Sequence, residues 1–118
     1  MSGTVSYHAG LAAEDQVATL YARKGMEIAA RRWRGRAGEI DLVARDGAGF
    51  VFIEVKKADS HAHAAERLSR RQMDRICLSA SEYVADAPGG QLTDMRFDVA
   101  LVDALGRVEI LENAFGLN

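Results

Sequence analysis

The apolar positions of the chain recur with two different periods, and the change of period marks out its elements. From Leu11 to Lys24 the spacing is helical, with Leu11, Val17, Ala18 and Tyr21 on one stripe. Gly25 follows as a left-handed cap, and Arg23 and Lys24 in the last turn complement the helix dipole. Glu27 to Arg34 predicts a short strand. Two alternating or apolar runs come next, Glu39 to Arg45 and Phe50 to Lys57, and the stretch Asp46-Gly47-Ala48-Gly49 between them predicts a β-hairpin. Residues 58–68 read as a mobile loop. Ser69-Arg70-Arg71-Gln72 has the capping-box pattern and starts a helix with Leu68, Ile76, Ala80 and Tyr83 marking its inward stripe, running to about Asp86 and the break at Ala87-Pro88-Gly89-Gly90. Asp94 to Val102 and Arg107 to Leu111 predict two final strands around Asp103-Ala104-Leu105-Gly106. The order αβββαββ predicts an α/β sandwich, a mixed central sheet flanked by helices.

The hairpin has a geometric consequence. With Gly47-Ala48 as its loop, Asp41 lies opposite Glu54 and Glu39 opposite Lys56; with Asp46-Gly47 as its loop, Asp41 meets Phe52, but the same residues still share a face. That face holds Glu39, Asp41, Val43, Phe50, Phe52, Glu54 and Lys56. The other holds Ile40, Leu42, Ala44, Val51, Ile53 and Val55, a plain core surface. Two carboxylates across a strand pair, with Cβ atoms roughly 5 Å apart, repel each other and call for a cation. Apolar neighbours predict partial desolvation, and hard oxygen ligands in such a place suit Mg²⁺ or Mn²⁺ over zinc. The alternative without a bound ion pairs Glu39 with Lys56 and Asp41 with an arginine.

Glu14 falls on the inward stripe of the first helix, where it needs a partner: either an arginine, or the Asp41 and Glu54 cluster, which it would join as a third acid. Gln72 poses the same choice on the second helix, between a capping role and a ligand, and the two are compatible.

Composition narrows the function classes. At 118 residues, 48% apolar and 27% charged, the chain reads as a single globular domain spanning 1–118. No uninterrupted apolar run is longer than that of Phe50 to Ile53, which excludes a membrane-spanning helix and so a membrane partner. Met1 to Gly10 has no signal-peptide pattern, and the one cysteine, Cys77, forms no internal disulfide, so a cytoplasmic, reducing setting is expected. The net charge of −2 is unevenly spread, for residues 23–75 hold 13 of the 15 Lys and Arg but 8 of the 17 Asp and Glu. That basic region is the footprint of an anionic ligand such as nucleic acid, or else a solvated arginine-rich surface.

Asp41, then Glu54-Val55-Lys56 on a hairpin that follows a helix carrying Glu14, resembles the PD-(D/E)XK nuclease superfamily of restriction enzymes and Holliday-junction resolvases. Gly10-Leu-Ala-Ala-Glu14, Arg32-Trp-Arg34, Gly38-Glu-Ile-Asp-Leu42, Phe52-Ile-Glu-Val-Lys56, Arg96-Phe-Asp-Val99 and Asn113-Ala-Phe115 look like the bacterial YraN family, over nearly the whole chain. The resemblance implies a restriction-endonuclease-like fold and a metal-dependent endonuclease hydrolysing phosphodiester bonds in DNA, with branched or single-stranded DNA as the expected form. It implies Asp41, Glu54, Glu14 and the Val55 backbone carbonyl as ligands of Mg²⁺ or Mn²⁺, and Lys56 as the catalytic lysine beside Asp41, Glu54 and Glu14. Arg34, Lys57, Arg70, Arg71 and Gln72 would contact nucleic acid, DNA ahead of RNA, and a homodimer is compatible with this picture. Three departures strip positive charge near the phosphate site or alter it: Ala58 stands where such proteins usually carry arginine, Gln72 where they carry lysine, and Arg32 where they carry asparagine. The alternative function is therefore a nucleic-acid-binding module with the same fold and little or no turnover.

Other signals weigh less. His61 and His63 read as exposed loop histidines, Cys77 as a small buried or half-buried residue, and Trp33 either as a base-stacking residue or as core.

Overall fold

The computed structural model describes the backbone of residues 3–116 and the side chains of residues 10–116. Its elements are α1 (Gly3–Arg23), β1 (Glu27–Arg34), β2 (Glu39–Asp46), β3 (Gly49–Lys57), α2 (His61–Glu66), α3 (Arg70–Val84), a 3-10 turn at Gly90–Leu92, β4 (Met95–Val102) and β5 (Val108–Phe115). The five strands form one sheet in sequence order, antiparallel except where β3 and β4 run parallel. The parallel pair needs a crossover, and α2 and α3 supply it. No helix among the described residues is long and apolar enough to cross a membrane.

Two apolar layers cover the sheet. Ala13, Val17, Ala18 and Tyr21 of α1 pack on Leu42, Ala44, Val51, Ile53, Ala100 and Val102. On the other face Ile76, Cys77, Ala80 and Val84 of α3 pack on Val43, Phe50, Phe52 and Phe97, and Ala64 of α2 packs on Val99 and Leu101. Alternation along β2 and β3 produces this division, because both faces are covered and both must be apolar. The hairpin register is the one set by a Gly47-Ala48 loop, with Asp46 facing Gly49 and Leu42 facing Ile53.

Three expectations are corrected. Residues 58–68 are not all loop: Ser60 accepts the His63 N–H and caps α2, an alanine-rich turn whose Ala64 is fully buried. Ile40 packs with Val43 and Phe52 under α3, not with Leu42 and Ala44 under α1. The alternation slips by one residue at Asp41, opposite which Arg32 takes a left-handed φ of 51° between the pairs Arg31 with Leu42 and Trp33 with Ile40. Thirdly, β5 runs past Leu111 to Phe115, and the irregularity that lets it do so is built on Asp98.

Asp98 has no exposed surface. It accepts hydrogen bonds from the Tyr21 hydroxyl at 2.6 Å, from the Arg96 guanidinium at 2.9 and 3.0 Å, and from the backbone N–H of Asn113 at 2.9 Å. Asn113 takes a left-handed φ of 51° to present that N–H. Burial and the adjoining carboxylate together hold the Tyr21 phenol far above its ordinary range, so it stays a donor. One carboxylate thus ties α1, β4 and β5 together. Asp98→Ala leaves a guanidinium, a phenol and an N–H without their acceptor, and the expected loss is about 3–5 kcal/mol of unfolding free energy. Urea denaturation checks it; a loss below about 1 kcal/mol would show the network to be dispensable.

Candidate active site

The β2–β3 ladder stops at Leu42 and Ile53, and beyond it the strands splay around two acids. Asp41 turns a carboxylate oxygen onto the backbone N–H of Val55 at 2.8 Å, closing the gap that a ladder bond would otherwise fill. Glu54 is 5% exposed and lies within hydrogen-bonding reach of Asp41. On its other side Gln72, in the first turn of α3, donates its Nε2 to Glu54 Oε2 at 3.0 Å. Asp41, Glu54 and Gln72 line a cleft of about 310 Å³ together with Arg34, Gly38, Glu39, Arg75 and Ile76.

Burial, then the hydrogen bond and negative charge of Asp41, push the Glu54 carboxyl up to about 9, against the opposing pull of Lys56. Lys56 lies two residues further along β3, on the side that Glu54 occupies, and makes no ion pair among the described residues. Glu14 is buried under the Arg32 guanidinium, with bonds of 3.1 and 3.2 Å, and adds a weaker push on Glu54. Of the two partners open to Glu14, the arginine holds it. Among the described residues no group of three or more His, Cys, Asp or Glu is arranged to hold a metal ion.

The other site residues divide. Arg34 reaches the cleft and pairs with Glu39 at 3.3 Å, so the Glu39–Lys56 ion pair of the alternative without a bound ion is not formed. Gln72 combines both of its roles: its N–H bonds the Ser69 hydroxyl at 3.1 Å, while its side chain leaves the capping box for Glu54. Arg70 pairs with Asp74 at 3.4 Å along α3, Arg71 is exposed, and Lys57 accepts on its carbonyl from Arg67; none of these three lines the cleft. The structure adds Arg75, three residues after Gln72 and so one turn along the same side of α3, a spacing legible in the sequence. His61 is half-buried against the Arg107 carbonyl and Glu109, His63 is exposed on Asp59, and Cys77 is buried. Trp33 packs at the edge of the α3 layer.

Glu54 gives a pH dependence with a definite sign. An acid whose folded value lies above its unfolded one favours folding below the unfolded value, near 4.5, and loses that contribution as pH rises toward about 9. Glu54→Gln keeps an acceptor for Gln72 and a donor for Asp41 without that loss. It should melt at least about 4 °C above the parent at pH 8, roughly 1 kcal/mol, with the difference shrinking toward pH 4.5. Calorimetric melts of the two proteins across that range decide it; a variant that melts lower at pH 8 contradicts the assigned environment.

These features define a class: a mixed α/β protein with a five-stranded sheet between helices and a carboxyl pair at a splayed strand junction. A family model described as "Uncharacterised protein family UPF0102" matches residues 13–102, and the chain belongs to that family. It is the YraN-like family to which the sequence motifs point. The chain is 70% identical over 115 residues to a UPF0102 protein of Cereibacter sphaeroides strain KD131, covering 98% of each. It is 57% identical over 114 residues to one from Ruegeria pomeroyi, covering 97% of this chain and 93% of the relative. With a Dinoroseobacter shibae UPF0102 protein the identity is 41% over 111 residues, covering 94% and 83%.

Proposed function

We propose that this protein is a metal-dependent endonuclease of PD-(D/E)XK type that hydrolyses phosphodiester bonds in DNA. One observation carries the reading: Glu54 is the one buried carboxylate among the described side chains without a guanidinium beside it, and it is set against a second carboxyl. A sheet built only for stability has no use for that arrangement, whereas a divalent cation placed there removes the repulsion. Asp41 and Glu54 would hold Mg²⁺ or Mn²⁺ weakly, since two carboxylates leave most of its shell to water and phosphate. Bound there, the ion supplies Lewis acidity at the phosphate and a more acidic water.

The chain's own groups do the rest. Gln72 fixes the Glu54 carboxyl, Lys56 brings positive charge to the side of β3 where the scissile phosphate would develop negative charge, and Arg75 and Arg34 receive flanking phosphates. The arginines at the start of α3 support this placement. Arg70 and Arg71 occupy its first turn, where the helix dipole disfavours cations, so their position costs helix stability and is suited to an anion outside the helix. A second reading, binding without turnover, draws on Glu14, whose charge is taken up by Arg32 instead of remaining with the acid pair.

Labelled branched, single-stranded and duplex DNA incubated with the pure protein and Mn²⁺ should be cleaved, with branched or single-stranded forms preferred. Lys56→Ala and Asp41→Ala should each slow cleavage by about 10²-fold or more with folding intact. Binding without any cleavage by the parent favours the second reading, and cleavage that survives both substitutions rules this site out. Separately, Arg71→Glu with Arg75→Glu should weaken binding of all sequences alike and lower the salt slope by about 1 to 2. The same double reversal at Arg23 and Lys24, exposed at the end of α1 and away from the cleft, should do much less.

A further inference from the structure

At the far end of α3 from the acid pair lies a cavity of about 700 Å³, a size suited to a side chain or small ligand. Trp33, Phe50 and Tyr83 form its aromatic wall. Tyr83 stands edge-to-face to both of the others, with centroids 5.2 Å from Trp33 and 5.3 Å from Phe50. Its charges are lopsided, because the carboxylates of Glu82, Asp86 and Asp94 line it against a single guanidinium, Arg45. Asp86 and Asp94 make no ion pair among the described residues. Gly35 keeps Trp33 and Glu82 side by side: a Cβ there would come 2.7 Å from the indole and 2.6 Å from the Glu82 carboxylate. The Thr93 hydroxyl in the same wall is buried with no hydrogen-bond partner.

We propose that this cavity is a docking site for an arginine side chain presented by a partner polypeptide. Aromatic faces and carboxylates together attract a cation, and a planar guanidinium satisfies both at once, stacking on rings while donating to oxygens in its plane. The molecule already shows the fit on one ring, for the Arg45 guanidinium lies over Phe50 at 5.3 Å. Three acids lining one cavity repel a phosphate backbone, which disfavours a nucleobase as the occupant. The acidic end of α3 points the same way. Glu82 lies in its last turn and Asp86 just beyond, where the helix dipole disfavours anions, so the helix is less stable for carrying them and a cation from outside offsets that cost.

Trp33 is the chain's one tryptophan, so its emission reports on this cavity and on no cleavage event; failure here leaves the acid-pair reading standing. Titration with a capped arginine–glycine peptide should change the emission saturably, and the lysine counterpart should bind at least about threefold more weakly. Asp86→Asn with Asp94→Asn, both exposed, should weaken the arginine peptide by about tenfold while leaving the melting temperature unchanged. Equal binding of the two peptides, or binding that the double variant retains, overturns the proposal. So does a stronger saturable response to a short oligothymidylate, which would assign the cavity to a base, or an emission that shifts with concentration of the protein alone, which would assign it to a second copy.

Discussion

Taking a carboxylate out of water costs several kcal/mol unless a cation or well-placed donors repay it. Among its described side chains this fold does so at Glu14, Glu54, Asp98 and Asp103. Three are answered by a guanidinium, and each answer fixes architecture. Arg32 on Glu14 clasps α1 to β1; Arg96 steadies Asp98 on their shared strand while that carboxylate joins β4 to β5 through the Asn113 N–H and to α1 through Tyr21; and Arg107 on Asp103 closes the last turn with a 2.7 Å bond. Glu54 receives an amide and a second carboxyl instead. Its desolvation is balanced by nothing cationic in direct contact. The contrast within one small fold separates the acids whose charge is met by a guanidinium from the one acid left without a cation in contact.

The hairpin was legible because its signals are local and mutually consistent. A turn rich in glycine, a period of two and a parity rule fix which residues face one another, so the Asp41 and Glu54 juncture follows once the loop is placed. Parity fails at Ile40 for a reason that no local pattern carries. The slip at Asp41 is matched by the left-handed residue Arg32 on the neighbouring strand, and a non-glycine residue in that conformation leaves no composition signal. The choice between partners for Glu14 has the same origin. A stripe shows that an acid is buried, while the cation that meets it depends on how α1 is docked, a long-range fact. Residues 58–68 were hidden differently: α2 is six residues long, too short for periodicity to register, and exists because Ala64 packs on Val99 and Leu101. Gln72 shows a motif half obeyed, its backbone following the capping box and its side chain recruited by Glu54.

The helix α3 is where stability and the proposed functions part company. Its inner face is conventional, with Ile76, Cys77, Ala80 and Val84 on the phenylalanine-rich side of the sheet and Ser79 donating to the Gly38 carbonyl at 2.9 Å. Its outer charges run against its dipole at both ends, with arginines where the amide groups are positive and acids where the carbonyls are negative. One local pair, Arg70 with Asp74, offsets little of this, since an exposed pair at that spacing contributes only a few tenths of a kcal/mol. A sequence free to optimise the helix alone would exchange the two ends. That it carries the unfavourable polarity is accounted for if the basic end faces a polyanion over the acid cleft and the acidic end faces a cation at the aromatic cavity. Over fifteen residues, about 22 Å of helix, the same rigid rod then sets the spacing between the two, so whatever docks at one end is held at a fixed reach from the carboxyl pair at the other.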